Sequence, residues 1–167
     1  DGNAANDLAP IVYSKLRSMA LRLIDRERHA QSLQPTLLVH DAFLELVDDT
    51  VDWDGRRHFY AFASTVMRRL LVKHARERKA KKRGGGVQAP TLVSGAAIDR
   101  GIDVDILDLE EALNRFAVEY EREAKVVELR FFGGLTIEET AAELGVSERT
   151  VKGDWMLARA WLKRSLS

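Results

Sequence analysis

Cysteine is absent from the 167 residues. That excludes disulfides and thiolate metal sites, and it fits a reducing compartment such as the cytoplasm. No stretch approaches the roughly 18 consecutive apolar residues of a membrane span, and no basic-then-apolar leader opens the chain, so no membrane role is expected. The chain starts at Asp1 without a methionine, and "DGNAAN" reads as a processed end outside the fold. No strand pattern and no internal repeat stand out. Four histidines, at 29, 40, 58 and 74, are isolated from one another, which argues against a metal site. The paired carboxylates Asp48 and Asp49 have no His, Ser or Lys arranged as a catalytic partner. No enzyme and no cofactor are expected. Net charge is also absent, with 26 basic against 26 acidic residues, but this zero hides two unlike halves.

What is present is helix. With 46% apolar and 31% charged residues, the composition suits a folded soluble chain. Leu8, Ile11, Val12, Leu16, Met19 and Leu23 recur at steps of three and four, the apolar stripe of a first helix. Pro35 and Thr36 open a second, since proline fits a first turn and threonine can cap free amides. It runs through "LLVHDAFLELV" and stops near Asp48. The loop "DDTVDWDG" leads to a longer helix with Phe59, Phe62, Ala63, Val66 and Leu70 on its buried side. Its later turns hold nine Lys or Arg against one Glu between Arg68 and Arg83.

"GGG" at 84–86, Pro90 and an apolar-poor stretch then read as a tether. No Gly-Lys-Ser/Thr follows the glycines and no strand precedes them, so a phosphate loop is not supported. Beyond the tether the charge inverts. "DVDILDLEEALNRFAVEYERE" is mostly acidic and carries Ile106, Leu109, Leu113 and Phe116 at helical spacing. This acidic segment, 99–123, is either a solvated helix face or a shield for the basic run. "AKVVELRFF" continues as helix to Gly133 and Gly134. The expected fold is all-α: two small helical domains joined by a flexible linker, with boundaries 7–83, 84–104 and 105–167.

"LTIEETAAELGVSERTVKGDW", from Leu135 to Trp155, carries the most specific local signal. Thr136 with Glu139 three residues on makes a capping box. Ile137, Ala141 and Leu144 face inward, Gly145 supplies the bend, Val146 plugs the helix angle and Ser147 caps the next helix. This is the helix-turn-helix layout, whose second helix enters the major groove of DNA. Its leading residues are Ser147, Glu148, Arg149, Thr150 and Lys152. Arg149 can read guanine, Glu148 can accept from cytosine, and Lys152 suits a phosphate. The competing possibility is a plain αα-hairpin. Zero net charge does not forbid DNA binding, because phosphate neutralisation is local and the run at 68–83 is a basic cluster.

In this order the two modules resemble a bacterial RNA polymerase sigma factor of the extracytoplasmic-function type. The likeness is carried by "VVELRFFGGLTIEETAAELGVSERTVKGDWMLARAWLKRSL", by "LLVHDAFLEL" and by "FYAFASTVMRRLLVKHARERKAKKRGG". The resemblance implies docking on the clamp of core RNA polymerase through the second helix, at Thr36, Leu37, His40, Asp41, Phe43 and Leu44. It implies recognition of the −10 promoter element by the following loop and helix, and of the −35 element by the helix-turn-helix. Trapping unstacked bases at −10 needs aromatic surfaces beside positive charge. Asp49, Trp53, His58 and Tyr60 beside Arg56 and Arg57 offer these, and Arg68, Arg69, Lys73 and His74 would follow the backbone where they face outward. His74 is equally well read as an ordinary helix residue, and Trp53 as a core residue.

Two departures from the family pattern stand out. After Lys152 the recognition helix continues Gly153-Asp154-Trp155, where relatives carry more basic residues. Asp154 would repel phosphate, so base contacts are expected to stop near Lys152, with Trp155 and Trp161 packed inward. The segment before Leu38-Val39-His40-Asp41 also lacks the acidic run typical of relatives. A phosphate on Thr36, placed by a Ser/Thr kinase, could supply the missing charge; the alternative is a plain N-cap threonine. An anti-sigma factor is a further possible partner. The competing functions are a helix-turn-helix regulator that needs no polymerase, and a sigma-like decoy without working DNA contacts.

Overall fold

The structure, a computed structural model, describes residues 2–23, 35–48, 55–81, 91–93 and 103–167, with the side chains at several element ends excluded. Seven α-helices make up nearly all of it: α1 (Gly2–Leu23), α2 (Pro35–Asp48), α3 (Gly55–Lys81), α4 (Ile106–Glu119), α5 (Glu121–Val127), α6 (Ile137–Leu144) and α7 (Glu148–Ser165). Two short strands, β1 (Thr91–Val93) and β2 (Asp103–Asp105), pair antiparallel with Leu92 opposite Val104. This ribbon lies in the expected tether, overrunning its end by one residue at Asp105, and departs from the expectation of no strands. Three residues give alternation too little length to show.

Helices α1 to α3 form the N-terminal group. Leu16, Met19 and Leu23 of α1 pack with Leu38, Val39 and Leu46 of α2 and with Ala63, Val66 and Leu70 of α3, all buried. Ile11, expected on the buried stripe, is 57% exposed. The stripe turns toward solvent there, and α1 itself continues back to Gly2 through Pro10, so "GNAAN" belongs to a helix rather than to an end outside the fold.

Helices α4 to α7 form the C-terminal group. Ile106, Leu109, Leu113 and Phe116 all fall on the buried face of α4, as their spacing requires. Phe116 stacks on Tyr120 at 5.0 Å and meets Trp161 at 4.9 Å between ring centres. After α5 the chain widens into one π-helical turn, Glu128–Phe132, closed by the Gly133 amide donating to the Glu128 carbonyl at 3.2 Å. The extra residue in that turn lets Leu129, Phe131 and Phe132 all be buried.

The two groups touch. Helix α3 packs against the π-turn and against α4. At the contact, a Cβ on Gly133 would overlap the Ser64 hydroxyl, and one on Gly134 would lie 2.6 Å from Arg22 Cζ. Glycine is needed at Gly133 for the approach, where a Cβ would also lie 2.5 Å from the Leu129 carbonyl, and at Gly134 for its φ of +69°.

Candidate nucleic-acid interface

The helix-turn-helix forms as its residues dictate. Thr136 Oγ1 accepts from the Glu139 amide at 3.1 Å while Glu139 Oε1 accepts from the Thr136 amide at 3.1 Å, the reciprocal capping box. Gly145 takes the left-handed conformation, φ +66°, that ends α6. Val146 packs against the core beside Ile137 and Leu144. Ser147 Oγ accepts from the Thr150 amide at 3.1 Å and lies 3.0 Å from Thr150 Oγ1, so the cap engages both the amide and the hydroxyl of Thr150. Val151 and Trp155 turn inward. Glu148, Arg149 and Lys152 are left exposed on the first turn of α7.

Asp154 is not on that exposed face. Its carboxylate is buried and accepts two bonds from the Arg122 guanidinium of α5, from Nε at 2.7 Å and from Nη2 at 3.0 Å. Hydrogen bonding to Asp154 and then its charge raise the Arg122 pKa above its ordinary value. The expected repulsion of phosphate by Asp154 therefore loses its basis, because the charge points into the module and is paired. Nearby, Arg130 lies 4.7 Å over the Trp155 ring and donates from Nε to the Leu135 carbonyl at 3.3 Å. Burial, then the charge of Arg159, lowers the Arg130 pKa.

On α3 the candidate residues divide. Arg68 donates to Glu110 at 2.7 Å, to Glu128 at 3.4 Å and to Asn114 Oδ1 at 3.2 Å, all in the C-terminal group. His74 is buried, with Nε2 at 3.0 Å from Asp41 Oδ2. This joins a residue proposed for DNA to one proposed for polymerase. Arg69 pairs with Glu45 of α2, and Lys73 is exposed. Tyr60 is half-buried, in edge contact with Phe59. Asp49 and Trp53 lie outside the described residues, as do the side chains of Arg56, Arg57 and His58. Between α3 and the acidic side of α4 lies a cleft of about 630 Å³ lined by Arg68, Arg69, Lys73, Arg76, Glu110 and Glu128.

On α2, Leu37 and Leu44 are 52% and 51% exposed, and His40 is exposed on the same side. Phe43 is half-buried, edge-on to Tyr13 at 6.0 Å. Asp41 is half-buried against His74, and the Thr36 side chain lies outside the described residues. Among the described residues no cluster of three His, Cys, Asp or Glu could hold a metal ion.

A family model for ECF sigma factors matches residues 1–167. The chain belongs to the ECF sigma factor family. No curated protein and no solved structure matches it. ECF sigma factors are regulatory transcription factors rather than enzymes, and they bind core RNA polymerase, promoter DNA and anti-sigma factors. Among the described residues of this sigma factor, no helix is long and apolar enough to cross a membrane.

Sequence reasoning missed Arg22, Glu110, Arg122 and Glu128. For two of them a signal existed. Glu128 is a lone carboxylate inside the apolar run "VVELRFF", and Arg22 is a lone cation beside the Met19–Leu23 stripe. An isolated charge in an apolar run implies a buried partner.

Proposed function

We propose that this sigma factor docks on core RNA polymerase through the outer face of α2. In this reading it opens the −10 element with the segment before α3 and the outward residues of α3, and it reads the −35 element with the first turn of α7. The working units are 7–83, 84–104 and 105–167. The observation that carries the proposal is the α7 turn: Glu148, Arg149 and Lys152 stand exposed behind a Ser147 cap. A helix so presented suits base-edge contact from Arg149 and Glu148 and phosphate contact from Lys152.

The polymerase contact is supported by Leu37, His40 and Leu44, exposed and spaced i, i+3 and i+7 along one side of α2, while Asp41 beside them is held against His74. Two leucines half in water are a ready apolar anchor for a partner groove. Trp53 and Tyr60 are the candidate stacking surfaces for bases freed at −10. Reconstitution with core polymerase and mapping of transcript starts tests the proposal. Starts downstream of a shared −35/−10 pair are expected; DNA binding without any start, or core binding without any start, would overturn it in favour of a plain regulator or a decoy.

Control of docking by a Ser/Thr kinase is the finer part of the proposal. Thr36 sits in the first turn of α2, which holds no acidic residue. A phosphate there adds about −1.5 to −2 charges beside free amides and the positive end of the helix dipole. Core-polymerase affinity of kinase-treated protein should exceed that of unmodified protein, with Thr36→Ser preserving the response and Thr36→Glu reproducing part of it. Full affinity without any modification would remove the switch.

A further inference from the structure

Helix α7 carries a glycine for which the fold gives no reason. Gly133, Gly134 and Gly145 each answer to a close approach or a positive φ. Gly153 answers to neither. It lies inside α7, outside the left-handed region, and a Cβ there would meet nothing within 4 Å among the described residues. Glycine in a helix interior lowers stability relative to alanine, through the freedom it loses on folding. Such a loss on an open surface, with no packing gained, suits a place that another molecule approaches closely.

The position of that surface says what approaches. At 3.6 residues per turn, Gly153 and Met156 fall within about 40° of Arg149, and Lys152 neighbours Met156 one turn earlier. Met156 is 72% exposed, and Gly153 and Lys152 are exposed beside it. The face that begins with Arg149 and Lys152 therefore continues without charge at Gly153 and Met156. Asp154, the acid expected to end it, is buried on Arg122 and takes no part in it.

An apolar continuation does not suit phosphate, which calls for cations or polar donors. The apolar feature of a base edge in the major groove is the C5-methyl group of thymine. Methionine suits that group, being unbranched, flexible and polarizable. The missing side chain at Gly153 lets the α7 backbone come nearer the base edges. At 1.5 Å per residue Met156 lies about 10 Å beyond Arg149 along the helix axis, the rise of about three stacked base pairs.

We propose that Gly153 and Met156 extend the −35 reader past Lys152. Gly153 is the notch that seats α7 deep in the major groove, and Met156 selects a thymine by its methyl group. That thymine lies about two to four base pairs from the base that Arg149 contacts. This deepens the assignment of the α7 turn to the −35 element and rests on it.

The test uses the full chain with core polymerase on promoter duplexes taken from its mapped starts. Each −35 thymine is replaced in turn by deoxyuridine, which lacks the methyl group alone. Wild type should lose about fourfold in affinity at one position, the worth of one buried methyl group. Met156→Ala should bind the thymine duplex more weakly and be indifferent to the replacement. Gly153→Ala should move two readouts in opposite directions. The Tm of the free protein should rise by about 2–4 °C. Promoter affinity should fall by about fivefold or more, the scale of overpacking a close contact.

A −35 element without thymine at that distance, a wild type indifferent to every deoxyuridine, or a Met156→Ala variant that keeps the sensitivity overturns the extension. So does a Gly153→Ala variant that binds as well as wild type or melts at a lower temperature. Arg149→Ala is measured alongside. A loss at its own base pair, together with any of those results, confines the failure to Gly153 and Met156; no loss there places the failure in the −35 assignment of α7 itself.

Discussion

The first turn of α7 and the middle of α3 both offer arginine for a nucleic acid, yet they stand in opposite conditions. Arg149 and Lys152 are exposed, on a helix whose own acid, Asp154, is turned inward onto Arg122. Arg68 sits on the more basic helix but is covered, with Glu110 and Glu128 on its donors. Local charge in the sequence therefore does not report availability. The helix with the larger positive run has its central arginine engaged, while the helix interrupted by an acid leaves Arg149 and Lys152 exposed on its first turns.

The largest effect that would sharpen this contrast is expected at Phe116, fully buried between Tyr120 and Trp161. Phe116→Ala should cost about 3–5 kcal/mol in the C-terminal group, from lost burial plus the cavity left behind. Differential scanning calorimetry should show a C-terminal transition at lower temperature, and −35 binding should fall with it. Unchanged melting would mean that α4 does not anchor α7.

Next in size are the readers themselves. Arg149→Ala should relax discrimination at one −35 base pair at a cost of about 1–3 kcal/mol, whereas Lys152→Ala should weaken all sequences alike and flatten the salt dependence. Equal, sequence-blind losses from both in a binding-site selection would count against base reading by α7. At the other reader, Trp53→Ala should spare duplex binding but reduce open-complex formation by about 1–3 kcal/mol, the worth of one base stack. Permanganate reactivity at −10 measures it, and a general loss of N-terminal folding would instead mark Trp53 as a core residue.

The smallest effect should come from the turn. Ser147→Ala removes the acceptor for the Thr150 amide and should cost about 1 kcal/mol of stability. Because the cap fixes the start of the turn that carries Glu148 and Arg149, affinity for the −35 duplex should fall slightly more than stability alone explains, as isothermal titration of folded protein would show.

Much of the C-terminal group was legible from the sequence because its signals are local. The α4 stripe, the Thr136–Glu139 box, the Gly145 bend and the Ser147 cap each depend on residues within one or two turns. The limits of α2 were legible for the same reason. What escaped depends on partners far along the chain: Arg68 finds Glu110 across 42 positions, and Arg122 finds Asp154 across 32. Helical periodicity says which side of a helix is apolar, not which remote acid will meet a given cation. The acidic segment left two options open, solvated face or shield. At Glu110 the structure shows a contact with the basic helix. The π-turn and the three-residue ribbon escaped for another reason: each is shorter than the window over which a period can be recognised. Ile11 shows the opposite error, an apolar residue in step with a stripe whose partner surface does not extend that far.

The contrast between a presented α7 and a covered α3 is tested most directly by footprinting promoter DNA with the protein alone and then with core polymerase. The account predicts that the protein alone protects only the −35 element, and that −10 protection and base reactivity appear when core polymerase is added. Protection of −10 by the free protein, or no protection of −35 in either condition, would contradict it.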